Sequence, residues 1–363
     1  MQRLKSLDIL RGLTVALMIL VNNGAGKEIY SALQHSRWNG LTPCDLVFPF
    51  FLYMVGMSAY LSLRKTNFRL TKAVAWKIAK RTVLLYIIGV AINWFDMICD
   101  GRALDFAHLR VWGVMQRIAL CYGMTALLAV TVSHRHILHI ALGLLIVYMG
   151  ILAFGNGYAY DADTNILSQV DRCLFGADHL YRKSPVDPEG LLSTVPAIAH
   201  TLIGFWCCMN IQRPGQDTRH KMRFLKLAGL VMIVLSFFLA FIGFAINKRV
   251  WSPSYVFATC GFASWLLALL IQFVDHNKRH RLKDSIFTTG CKVFGMNALF
   301  LYVLSEALGI VFGAYGIKDD IYGFIHSFVA SGYVSSLLYA LFFVGIHAVI
   351  GAWAYRRGIF IKI

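Results

Sequence analysis

A chain of 363 residues with 58% hydrophobic and only 15% charged residues, and a mean hydropathy of +0.61, is too apolar to be a soluble domain. Its formal charge of +17 would suit a nucleic-acid binder, but Lys and Arg fall in short clusters between apolar runs rather than along one face, which excludes that class. The solvent that fits this composition is a bilayer.

Ten apolar stretches approach the length needed to cross roughly 30 Å of hydrocarbon. They run at about 9–25, 44–63, 78–95, 113–132, 137–154, 192–209, 226–246, 255–274, 293–313 and 334–354. The expected class is therefore all-α, a polytopic membrane protein of about ten transmembrane helices in a single domain over 1–363. The first stretch has a basic approach (Arg3, Lys5, Arg11) but no small-residue cleavage site, so it stays as a helix. The third is the weakest. The longest connection, 155–191, is rich in Gly, Asp, Pro and aromatics, and a loop of that length forms a lid or a binding surface.

Of the 35 Lys and Arg residues, 24 fall in the N-terminal approach, the tail and alternate loops, and 10 in the intervening loops. By the positive-inside rule both termini are cytosolic and 155–191 is external. Twelve acidic residues in the external loops agree with that alternation. The eight cysteines lie mostly inside apolar segments, where a thiol behaves as a small hydrophobe. Cys99 and Cys173 fall in loops on one side and are the candidate pair for a disulfide.

Polar groups in or beside a span are functional candidates by default, against a purely structural hydrogen-bonding role. Asn22 ends the first span, His35, Trp38 and Asn39 follow in the external loop, and Asp45 opens the second. His35 reads either as an interfacial residue or as a base whose tautomer Asp45 fixes. Trp38 reads as a stacking platform for a sugar ring or as an interfacial anchor. Arg117, next to Gln116, lies five residues into the fourth span and requires a partner. It either pairs with Asp45 or Glu306 or faces a polar cavity and binds an anionic or carbonyl-bearing cofactor. Glu306, deep in the ninth span after Asn297, invites the same two readings. At the cytosolic entrance Asp8 and Arg11 read as a capped helix start with a local ion pair. The basic clusters Arg64–Lys65, Lys77–Lys80–Arg81 and Lys278–Arg279–Arg281 suit anionic lipid headgroups or the phosphates of a nucleotide.

The strings RLKSLDILRG, VNNGAGK, HSRWNGLTPCDLVFPFFLYMVG, LRVWGVMQRIALCY, VDRCLFGADHLYRKSPVDPEGLLSTVPAI, NKRVWSPSYV, FGMNALFLYVLSE and YRRGIFIKI run in order from residue 3 to the end. With them the chain resembles the transmembrane acyltransferases typified by lysosomal heparan-alpha-glucosaminide N-acetyltransferase and bacterial members often called NagX. HSRWNGLTPCDLVFPFF is the most specific; SLDILRG is shared more widely. The resemblance implies transfer of acetyl from cytosolic acetyl-CoA, as co-substrate and without a metal, to the amino group of a glucosamine-type sugar across the membrane. It implies a homodimer, with His35 as the catalytic histidine and Asn22 beside it. Asp45 completes the expected catalytic set, Arg117, Gln116, Asp8, Arg11 and Asn297 the donor set, and Trp38, Asn39 and Glu306 the acceptor set. The chain departs from the lysosomal members in carrying no N-terminal luminal domain, so a bacterial cytoplasmic membrane is the expected location.

Acetyl transfer needs a carbonyl carbon held near a deprotonated amine, with the developing oxyanion stabilised. His35 supplies a base, or carries the acetyl group in a two-step route. The rival class is a transporter, which also places polar groups mid-membrane, although no duplicated halves are visible. An O-acetyltransferase of an envelope polysaccharide differs only in its acceptor.

Overall fold

The computed structural model describes residues 4–181, 184–276 and 285–361. Among them the chain is helical, with one isolated antiparallel bridge between Asn39 and Asn247, so the all-α class holds. Arg3 and the Lys278–Arg279–Arg281 cluster lie outside the described residues.

The first element, α1 (Lys5–Asn22), carries Lys5, Asp8 and Arg11 in its opening turns. These make its 18 residues less apolar than a lipid-facing span, and it is packed inside the bundle. Among the described residues eight helices are long and apolar enough to cross a membrane. They are α2 (Val47–Leu63, with the turns flanking it), α3 (Lys72–Cys99), α4 (Val114–Thr131), α5 (Ile137–Phe154), and, after the short α6 (Ile166–Phe175), α7 (Leu191–Ile211), α8 (Thr218–Phe241) and α9 (Pro253–Leu270, continued by a wider turn to His276). The last is α13 (Gly332–Arg356). The stretch read as the ninth span is instead α10 (Ile286–Met296) and α11 (Ala298–Ala314), bent by 83° at Asn297. Counting that pair as one gives nine among the described residues, and α1, the remaining expected span, is an 18-residue helix less apolar than these.

The break lies where Asn297 meets the C-terminal tail. Asn297 has non-helical backbone angles, its amide donates to the Ile359 carbonyl (2.9 Å), and its oxygen accepts from Ile361 N–H (3.1 Å). The chain's tail thus occupies the groups a straight helix would leave facing lipid. The weak third stretch forms a continuous 28-residue helix, capped by Thr71, whose hydroxyl accepts from Val74 N–H. Within the long connection, α6 is capped by Asn165. Cys99 and Cys173 both remain free thiols, and the expected pair is not formed.

Helices α2, α4, α7 and α9 form the inside of the bundle, while α3, α5, α8 and α13 present most of their surface outward. Helices α2 and α7 cross in close contact. A side chain at Gly56 would meet the Thr201 carbonyl, and one at Gly204 the Tyr53 carbonyl, so only glycine lets these backbones approach. This crossing fixes the inner helices whose ends carry the polar residues. Between α11 and α13, the amphipathic α12 (Ile317–Phe328) buries none of its residues.

Candidate active site

The loop from α1 to α2 returns on itself because Asp45 ties it down. Its carboxylate is fully buried, and one oxygen accepts from Ser36 N–H (3.1 Å), Thr42 N–H (3.2 Å) and the Thr42 hydroxyl (3.0 Å). The other oxygen faces His35 Nδ1 at 2.9 Å. Thr42 and Asp45 form a reciprocal cap at the start of the helix, with Pro43 at its first position. Pro49 has no N–H to offer the Asp45 carbonyl one turn back, and the Tyr255 hydroxyl of α9 donates to that carbonyl instead (2.6 Å). The same aspartate therefore folds the loop and orients the imidazole.

Lys248, from the turn between α8 and α9, completes the group. Its Nζ is 2.9 Å from His35 Nδ1, 3.4 Å from Nε2 and 3.4 Å from Asp45 Oδ1. A proton on Nδ1, donated to Asp45, leaves Nε2 as the free acceptor and directs the lysine N–H groups to the carboxylate. Burial pushes the Lys248 ammonium below the ordinary lysine value, against the pull of Asp45. The Cys44 thiol is 3.1 Å from Nδ1, the nitrogen already facing Asp45. Asn39 holds this turn in place: its oxygen accepts from the Asn247 amide (3.0 Å), and Gly40 N–H donates to the Ile246 carbonyl (2.8 Å). Trp38 is similarly engaged, its indole N–H donating to the Tyr158 carbonyl (2.9 Å) and its ring edge-on to Tyr160.

His35, Asn22, Cys44, Glu189, Lys248 and Tyr302 line a pocket of about 430 Å³, walled by Met18, Val21, Val47, Phe48 and Val114. Its polar groups come from five separate parts of the chain. Glu306 stands behind Asn22, its carboxyl hydrogen-bonded by the Asn22 and Tyr302 side chains. A second pocket of about 490 Å³ shares Met18, Val114 and Tyr302 with the first. Its remaining walls are Phe51, Val55, Leu85, Met115, Ile118, Tyr122, Leu299 and the side chain of Arg81, which lies 4.5 Å over the Tyr122 ring.

Glu189 reaches the first pocket from the segment before α7. Arg110 donates to it (2.9 Å) and to the fully buried Asp187 (2.7 Å), which also accepts from Tyr181 N–H and Glu189 N–H (2.9 Å each). Burial alone would raise the Glu189 carboxyl, but Arg110, with Arg117 and Lys248 behind it, holds it below the ordinary value. Arg117 does pair, though with neither Asp45 nor Glu306. It donates to the Gly190 carbonyl (3.0 Å) and to Ser193 Oγ, under the face of Trp251 at 4.9 Å. Fully buried, it clamps the start of α7 and lines neither pocket; its neighbour Gln116, also buried, packs against Gly89 and lines neither.

The structure thus brings together His35, Asn22, Asp45 and Glu306. It sets Trp38 and Asn39 at the edge as ties between loops. Asp8 and Arg11, 3.6 Å apart, lie toward the other end of α1, about 16–21 Å along the axis from Asn22 at 1.5 Å per residue. Arg11 donates to Ser58 Oγ (2.9 Å), and Asn297 holds the C-terminal tail. Lys248, Glu189 and Tyr302 join the site without having stood out in the sequence. The available signals were a lysine in a two-charge turn between spans, NKRVWSPSYV, and the acid of DPEG.

Among the described residues no cluster of three or more metal-ligating side chains occurs. The pocket offers a neutral-capable imidazole oriented by a carboxylate, an amide, an ammonium and an ionised acid, a set suited to proton transfer beside a polarised carbonyl.

Residues 3–171 match the family model for the catalytic region of heparan-alpha-glucosaminide N-acetyltransferase. The human protein of that name is 30% identical over 368 residues, and the mouse protein 30% over 370, each alignment covering 84% of this chain. The chain spans about half the length of these relatives, 53% and 54% respectively. In sequence the chain is similar to the heparan-alpha-glucosaminide N-acetyltransferase family, and its all-helical architecture suits a membrane protein.

Proposed function

We propose that this chain transfers acetyl from acetyl-CoA to the amino group of a glucosamine-type sugar, with donor and acceptor arriving from opposite sides of a membrane. The observation that carries the reading is the adjoining pair of pockets: the polar one holds His35, and the apolar one leads away from it between α2, α3, α4 and α11. The pantetheine arm is long and thin and suits an apolar passage. Arg81, on the cytosolic side by the 24-to-10 charge split, suits the donor's phosphates.

The acceptor amine enters as an ammonium and must lose two protons. His35 Nε2 takes the first, with Asp45 holding the imidazole in the required tautomer. The free nitrogen lone pair then attacks the thioester carbonyl carbon, and the carbonyl pair moves to oxygen, where Lys248 and the Asn22 amide stabilise the charge. As the oxyanion collapses the C–S bond breaks. The thiolate leaves with the proton from His35, and the second nitrogen proton goes to solvent. A two-step route, with acetyl first on His35, uses the same groups in the same places.

The chain works in this reading as a homodimer in a bacterial cytoplasmic membrane with both termini cytosolic; the charge split supports the orientation, and family resemblance the dimer. The test is purified protein in vesicles given acetyl-CoA and glucosamine, with free thiol and N-acetylglucosamine measured together. The expected result is equal appearance of both. Glucosamine movement without thiol release would make the protein a transporter, and acetyl recovered as a hydroxylamine-labile ester would make the acceptor a hydroxyl.

A further inference from the structure

The pocket around His35 contains one carboxylate that neither orients the imidazole nor caps a helix. Glu189 Oε2 takes the Arg110 hydrogen bond at 2.9 Å, and the residue lines the pocket. The neighbouring carboxylates are tied elsewhere. Lys248 is 3.4 Å from Asp45, and Arg110 is satisfied by Asp187 at 2.7 Å. Arg117 clamps the start of α7 beside buried Asp171, which accepts from Leu191 N–H. Of these four carboxylates Glu189 is the one that lines the pocket, and an ionised carboxylate facing a pocket is a ready partner for an incoming cation. The only species in the reaction that arrives positively charged at this pocket is the acceptor's ammonium.

We propose that Glu189, braced by Arg110, is the acceptor-recognition residue, pairing with the sugar's ammonium and so selecting amino sugars over hydroxyl sugars. The inference rests on the acetyl-transfer reading and names its acceptor subsite. The pairing aligns one N–H with Glu189 and leaves another for His35 Nε2, which orients the lone pair toward the donor carbonyl. Arg110 has a structural consequence as well. It fixes the carboxylate from the side away from the pocket, so the acid is presented in one position rather than sampling rotamers.

The test is direct binding to purified protein, measuring dissociation constants for glucosamine and for glucose, which differ in the amino group at C2. The wild-type protein should favour glucosamine by at least about 10-fold, the low end for a hydrogen bond to a charged group. Glu189→Gln keeps the length and the acceptor oxygen for Arg110 and should bring the ratio close to one, while Glu189→Asp, which keeps the charge, should retain a preference for glucosamine. A Glu189→Gln protein that binds acetyl-CoA and keeps the full preference would overturn the proposal. Should that variant fail to fold, a wild-type ratio near one overturns it equally. Failure of the parent reading looks different: wild-type protein would then release no thiol from acetyl-CoA with any amino sugar, whatever the binding ratio.

Discussion

Replacing Asp45 by Asn should leave the loop folded and stop the chemistry. In the wild type, one carboxylate oxygen accepts from Ser36 N–H, Thr42 N–H and the Thr42 hydroxyl, while the other faces His35 Nδ1. An asparagine has one oxygen, and it must stay with the three donors. Turning the NH2 toward them would leave each donor unpaired, at about 1–3 kcal/mol apiece. The NH2 therefore faces His35, Nδ1 becomes the acceptor, and the ring proton moves to Nε2, which is the nitrogen needed as base. Lys248, 2.9 Å from Nδ1, competes for the same lone pair, so the ammonium loses its charged partner. Stability falls by the lost charge on these hydrogen bonds and by the buried ammonium left without its carboxylate, about 3–5 kcal/mol. The rate loses the acid–base contribution of about 10²–10⁴, or roughly 3–5.5 kcal/mol of barrier. The assay compares thermal unfolding, acetyl-CoA binding by calorimetry and N-acetylglucosamine formation. A folded Asp45→Asn protein acetylating within about fivefold of wild type would refute the tautomer argument, since among the described residues no other carboxylate faces Nδ1.

His35→Ala should retain acetyl-CoA binding and lose glucosamine acetylation by at least about 10²-fold, and acetyl label on His35 after donor alone would establish the two-step route. Val55→Trp should fill the apolar pocket and weaken acetyl-CoA binding by roughly 5- to 150-fold, from an overpacking cost of about 1–3 kcal/mol; unchanged affinity would place the donor elsewhere. Arg117→Lys should lower the melting temperature and leave donor affinity within a factor of about two, because the guanidinium touches Gly190 and Ser193 rather than either pocket. Asp171 gives a pH signature. Burial raises its carboxyl to about 6, so the folded state holds the proton more tightly than the unfolded chain, and its stabilisation is full below about pH 4 and lost as pH rises through 6. Measured between pH 4 and pH 7, the stability difference between wild type and Asp171→Asn should move about 3 kcal/mol in the variant's favour, and a difference independent of pH would contradict the shift. Accessibility labelling of single cysteines at 66–70 and at 156–164 should find them on opposite faces of the membrane.

The sequence by itself determined the solvent, the helical class and the region of the site. Apolar runs of membrane length leave the backbone no way to satisfy its hydrogen bonds except as helices. Asn22, His35 and Asp45 were legible because they are close in sequence, flank one membrane edge and are costly there. Asp45's double role was half visible, as a carboxylate ten residues from a histidine, while its three loop donors were not. Tertiary structure decided everything that depends on residues far apart in the chain meeting. Lys248 comes from 213 positions beyond His35, and its approach depends on Asn39 gripping Asn247 across the bundle. Arg117 had to pair, as its burial in hydrocarbon dictates, but which partner it took was set by where α7 begins against α4. The bend at Asn297 likewise needed the tail, more than sixty residues later, to occupy its amide. Hydropathy is a property of each residue in turn, so it locates spans; a charge network is a property of pairs, and only the packed helices choose the pairs.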